Sequence, residues 1–199
     1  ETSTIDALLV RQLHSEAHAC GVILIDAGVS LGHQTDHGAR LALWFGGDAR
    51  SYRTFRAQLE KLGEPTLYCG PPGSGKIVKL VSNAVAHSLV VLLSETLTTG
   101  VKAGVPLEIL RGALGSGTAQ TRMLDEILPH SLFRGDFRPG LRMELAIKDL
   151  RLACELAAVS GASLPVVECA LQAYKDAKSA GLGGGSLHTV AKLFERQAG

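Results

Sequence analysis

The chain has 199 residues, 20 Lys+Arg against 19 Asp+Glu, a formal charge of +1 and only 5% aromatic residues. That balance excludes a basic nucleic-acid surface, and the scarcity of rings excludes a base-stacking platform. With 46% hydrophobic residues the chain is a folding one, and its length lets about 70% of the unfolded surface be buried without disulfides.

The first residues, Glu1-Thr2-Ser3-Thr4, are turn-like, as expected of a piece of a longer protein, and carry no signal-peptide pattern. Apolar residues at 5, 8, 9, 13, 17 and 20 predict a helix that Gly21 ends. Val22-Ile23-Leu24-Ile25 is a continuous apolar run that predicts a buried strand ending at Asp26, with Ser30 beyond its carboxyl end. Leu41–Phe45 predicts a second strand. Asp48 caps a helix expected to reach Leu62 before Gly63, and Thr66–Cys69 predicts a third strand. This alternation predicts an α/β sheet domain over residues 1–70.

After Gly70 the pattern turns helical. The spacing of Ile77, Leu80, Val81, Ala84 and Val85 predicts a long helix to about Ala103, apolar nearly all round and therefore central. Shorter helices are predicted from Pro106, over 118–128, over 141–160, over 164–180 and over 187–196. Residues 71–199 thus read as an all-α domain, with Gly181–Ser186 a loop between its last two helices. No uninterrupted apolar run reaches the ~18 residues of a membrane span, which predicts no membrane partner. Cys20, Cys69, Cys154 and Cys169 form no C-x-x-C pair, so reduced, mostly buried thiols of a cytoplasmic protein are expected.

Three constellations carry possible chemistry. Gly70-Pro-Pro-Gly-Ser-Gly75-Lys76 fits the start of a phosphate-binding G-x-x-x-x-G-K loop, but Ile77 stands where a magnesium-binding hydroxyl belongs. A Gly-rich helix start that brings backbone close to a ligand is the better reading. His14/His18 and His33/His37 are each four apart, yet without H-E-x-x-H they read as solvent-facing histidines, and no metal is expected. Third, Lys79 and Asn83 share one helix face and, with Ser30, make a polar set suited to a hydroxy acid. Lys79 lies one turn from a long apolar stretch, which favours proton transfer.

These segments, in order, resemble the β-hydroxyacid dehydrogenase family, which includes 3-hydroxyisobutyrate dehydrogenase, tartronate semialdehyde reductase and 6-phosphogluconate dehydrogenase. The resemblance rests on Thr2-Ser-Thr-Ile5, Asp26–Gly32, Leu43–Gly47, Gly73-x-Gly75-x-x-x-Lys79-x-x-x-Asn83, and Lys148-Asp149-Leu150 followed by Ala153, Gly161 and Pro165. It implies the closing part of a Rossmann-type sheet domain followed by an all-helical domain, with NAD or NADP as cofactor. It implies hydride transfer between the cofactor and a small 3-hydroxy acid. By the resemblance Lys79 is the catalytic acid/base, Ser30, Gly32 and Asn83 bind substrate, and Ser3, Thr4 and Lys148 lie near the cofactor. A homodimer or homotetramer is expected. The chain departs from the family pattern at Gly28, Leu31 and Ser82, and lacks the G-x-G-x-x-G turn. The alternative expectation is a non-catalytic relative that acts through oligomerisation of its helices.

Overall fold

Asp6 opens the first helix, α1 (Ala7–Ala19), its carboxylate accepting from Leu8 N at 2.7 Å. The structure, a computed structural model, describes the backbone of residues 1–35 and 38–199 and the side chains outside 32–40. The first strand, β1 (Asp26–Thr35), pairs antiparallel with β2 (Gly38–Gly46), from Asp26 opposite Gly46 to Leu31 opposite Leu41. Asp48 caps α2 (Ala49–Leu59) through Ser51 N, and the chain returns as β3 (Thr66–Gly70), parallel to β2. The sheet order is β1-β2-β3.

The first strand corrects the sequence reading. Residues 22–25 are not strand, and Val22 and Ile23 are 56% and 59% exposed. Glu1 pairs beside this run, its backbone nitrogen donating to Ile25 O at 2.9 Å and its carbonyl accepting from Ala27 N at 2.8 Å. The strand begins instead at Asp26, so Ser30 lies within β1, opposite Ala42, and not beyond a strand end. Helix α2 stops short of Leu62, at Leu59.

The long helix, α3 (Ser74–Lys102), spans 29 residues as the spacing predicts. It is not buried all round: Val81, Val85 and Leu92 lie on one exposed stripe, while Leu80, Ala84, Val90 and Val91 are buried. By length and composition α3 could also cross a membrane, with a mean hydropathy of 1.7 over eighteen residues, 44% of them buried inside the protein. Counting only uninterrupted runs misses this, because polar residues such as His87, Ser88 and Ser94 break the run while the average over eighteen residues stays high.

The helices that follow are α4 (Leu107–Gly115), α5 (Met143–Val159), α6 (Pro165–Ala177) and α7 (Ala191–Gln197). The helix expected over 118–128 is instead a single wide turn, Met123–Ile127, followed by 3₁₀ turns at 128–130 and 132–134. Pro129 supplies no N–H to continue an α-helix there.

The chain divides into two compact units, residues 1–82 with 158–160, and residues 83–157 with 161–199. In the first, Ala27, Leu43 and Phe45 of the sheet pack under Tyr52 and Leu59 of α2. In the second, buried residues of α3, α5 and α6 meet Leu187, Val190 and Leu193. Of the expected Gly181–Ser186 loop, Gly181 and Leu182 belong instead to a wide helical turn over Lys178–Leu182, and the remainder is held by Ser186 N donating to Phe137 O and Leu187 N to Leu141 O. All four cysteines are free, but none is buried: Cys20 and Cys169 are exposed, Cys69 and Cys154 half-buried.

Candidate active site

In the sheet unit, the start of α3 is seated on the β1–β2 hairpin. The Asp26 carboxylate at the start of β1 accepts from Gly73 N at 2.8 Å and from Lys76 N at 3.2 Å. It thereby caps the helix across 47 residues of sequence and complements the positive end of its dipole. Gly73 has φ +87, and a side chain there would press on Ala7 O. Gly28 has no room either: its Cβ would stand 2.6 Å from Gly75 O and 2.8 Å from the Lys79 Cβ. Helix and strand backbones are therefore in direct contact at this point.

That contact decides the fate of the G-x-x-x-x-G-K run. Lys76 is 1% exposed, and its ammonium donates to Glu1 O and Ala27 O, each at 2.8 Å. Burial pulls the Lys76 pKa down, while Glu1 and Asp26 partly offset this. A lysine so engaged does not reach a phosphate. Gly75 lets α3 come against the sheet, its would-be Cβ meeting Trp44 O and, at 3.1 Å, Gly46 N.

Lys79 follows one turn later, half-buried and over Gly28. Side chains of a strand alternate faces, so Ser30 lies on the same face of β1 as Gly28. Lys79 and Ser30 thus sit on one side of the sheet. Ser3 is exposed and Thr4 half-buried in the segment before α1. Gly32, assigned to substrate, and the His33/His37 pair fall in the stretch whose side chains lie outside those described. His14 and His18 sit on α1, and among the described residues no three His, Cys, Asp or Glu side chains gather as metal ligands.

In the helical unit, Asn83 is buried and its amide donates to Asp149 Oδ2 at 2.6 Å. Lys148, the residue before, holds its ammonium 3.1 Å from Asp149 Oδ1. Burial opposes the charge of Asp149, but donors from His87, Lys148 and Asn83 outweigh it and hold the carboxyl below its ordinary range. Asp149 and His87 carry no role in the sequence reading. Spacing could have found His87, since 79, 83 and 87 recur at one helical turn. A pyrophosphate has no Gly-rich turn among these residues.

Residues 73–194 match the family profile described as the NAD-binding domain of NADP-dependent 3-hydroxyisobutyrate dehydrogenase. Residues 1–70 match the NAD binding domain of 6-phosphogluconate dehydrogenase. The chain belongs to the β-hydroxyacid dehydrogenase family. It is 27% identical to 2-(hydroxymethyl)glutarate dehydrogenase of Eubacterium barkeri, over 90% of this chain and 60% of that protein. It is 27% identical to NAD-dependent L-serine dehydrogenase of Pseudomonas aeruginosa, over 100% of this chain and 69% of that one. The crystal structure of Mycobacterium tuberculosis 3-hydroxyisobutyrate dehydrogenase with L-serine superposes with a TM-score of 0.83 at 26% identity, covering 96% of this chain and 68% of the other. The chain therefore spans roughly two thirds of the length of these relatives, the first of them at 60%.

Proposed function

We propose that the protein is an NAD(P)-dependent dehydrogenase that oxidises the primary alcohol of a 3-hydroxy acid to the semialdehyde, and reduces it in reverse. The substrates named for the relatives, 2-(hydroxymethyl)glutarate, L-serine and 3-hydroxyisobutyrate, share one unit: a CH2OH group on the carbon next to a carboxylate. The observation that carries the reading is the seating of Lys79 over Gly28, on the Ser30 side of β1, one helical turn before Asn83.

In this reading the Lys79 amine takes the hydroxyl proton as the C–O bond becomes a carbonyl, and returns it in the reductive direction. The bound nicotinamide supplies the hydride acceptor or donor. Ser30, Gly32 and Asn83 fix the carboxylate, which presents the hydroxymethyl carbon in one orientation. Ser3, Thr4 and Lys148 flank the cofactor. Residues 1–70 form the closing part of the nucleotide-binding domain and 71–199 the helical domain, in a cytoplasmic homodimer or homotetramer.

The test is Lys79→Ala in the full gene product, assayed with L-serine and 3-hydroxyisobutyrate and both nicotinamide cofactors. Turnover is expected to fall by about 100- to 10,000-fold, the usual range for removing a general acid/base, with an unchanged circular dichroism spectrum. The second reading, a non-catalytic assembly protein, is favoured by the exposed Val81, Val85 and Leu92 stripe on α3. It requires wild-type protein without turnover and a Lys79→Ala variant indistinguishable from it.

A further inference from the structure

His87 follows Asn83 by one turn of α3, and both side chains meet Asp149 of α5. His87 and Asp149 are each 4% exposed. Nε2 of His87 faces Asp149 Oδ2, the oxygen that accepts from Asn83, at an ion-pair distance of 3.6 Å, and makes no shorter contact with another acceptor. The other ionisable groups around the imidazole come from α5, α6 and the turn before α7. Lys148 of α5 sits on the far oxygen of Asp149. Tyr174 of α6 donates its hydroxyl to the His87 carbonyl at 3.1 Å, and burial raises its own pKa far above the ordinary phenol value. His188 has its pKa lowered, first by burial and then by His87. Asp149 is the anion in this set.

A buried imidazole N–H needs an acceptor, and a buried carboxylate is tolerated only when charges and donors surround it. Each resolves the other here. An ionised carboxylate only accepts hydrogen bonds, so it decides which edge of the Asn83 amide it meets. The NH2 edge turns to Asp149, and the amide oxygen and the second N–H are left for a ligand.

We propose that His87 is a positioning residue for Asn83: by completing the donor set around the Asp149 carboxylate, it fixes the amide edge that Asn83 presents to the substrate carboxylate. This rests on the reading of Asn83 as a substrate arm, and the experiment has one arm that does not. The side-chain NH2 resonances of Asn83 are followed by NMR in wild type, His87→Leu, which removes the donor, and His87→Gln, which supplies a non-titrating one. His87→Asn, too short to reach Asp149, replaces the leucine variant if that one unfolds. In the full gene product KM and kcat are measured for the hydroxy acid.

The two Asn83 N–H resonances are expected well apart in wild type, because one proton is held on the carboxylate. They converge in His87→Leu and separate again in His87→Gln. KM rises roughly tenfold in His87→Leu, with kcat changed less than about twofold, and His87→Gln restores it. A folded His87→Leu variant with unmoved Asn83 resonances and unchanged KM overturns the proposal. Wild-type protein without turnover overturns the dehydrogenase reading instead, and the resonances still decide whether His87 orients the amide.

Discussion

Asp26 and Lys76 illustrate how one side chain can be spent on architecture where its motif suggests chemistry. The Asp26 carboxylate receives two backbone N–H groups at the start of α3, a charge-assisted cap in a buried place. Asp26→Asn turns an NH2 group toward one of those donors, and is expected to lower unfolding stability by about 1–3 kcal/mol in urea titrations. Lys76 gives a pH signature. Its pKa is depressed in the fold below the ordinary value of 10.5, so between the folded and the ordinary value the unfolded chain binds more protons. Stability contributed by this group therefore rises with pH across that alkaline window, and it is reduced below it, where a charged lysine must be buried. Urea midpoints between neutral and alkaline pH check the sign, and Lys76→Met should remove the slope. The motif could not reveal this, because a lysine after a Gly-rich turn reads alike whether its cation faces a ligand or two carbonyls. The same limit applies to His87, whose meaning depends on Asp149, 62 residues away along the chain.

At the scale of elements, the glycines separate into two kinds that sequence alone does not distinguish. A methyl group on Gly75 would run into Trp44 O, with Asp26 Oδ2 at 2.8 Å and Gly46 N at 3.1 Å, and the backbone atoms of β2 cannot move aside cheaply. Gly75→Ala is expected to cost at least about 2 kcal/mol, within the range for overpacking a tight contact. Gly112 lies inside α4 with nothing within 4 Å of its would-be Cβ. Gly112→Ala should stabilise by about 0.5–1 kcal/mol, the helix propensity difference. Thermal melts of the two variants should move in opposite directions. The elements that were legible, α1, α3, β3 and the cap of α2 at Asp48, carry their own periodicity or capping residue. Those that were not include 22–25, apolar yet outside the strand that starts at Asp26, and 123–134, which breaks into short turns around Pro129.

For the whole molecule, the change of hydrophobic period near residue 70 marks where helix begins to dominate and where the two family profiles, 1–70 and 73–194, adjoin, whereas the compact units divide within α3, between Ser82 and Asn83. The proposed site is legible as a set of motifs, and only part of the packing around those residues is. Lys79, Ser30, Asn83 and Lys148 announce themselves by spacing and resemblance, whereas the carboxylate that holds Asn83 and Lys148 is visible only once α3 and α5 are packed. The exposed stripe of Val81, Val85 and Leu92 on α3 is apolar surface that a second copy would remove from water. Light scattering at micromolar concentration is expected to give a mass at least twice that of the monomer, and Val85→Glu should lower it. A monomeric wild type would refute the assembly.

The helical unit closes with its last residues. Leu187, Val190 and Leu193 complete the cluster that includes Val90, Val91 and Tyr174, and the loop before them is strapped to residues 137–141. During synthesis the helices from α3 to α6 are made first and wait, with that apolar surface uncovered, for a segment translated about a hundred residues after Val90, several seconds at ordinary elongation rates. For that interval the nascent helical unit exposes apolar surface that the finished chain buries.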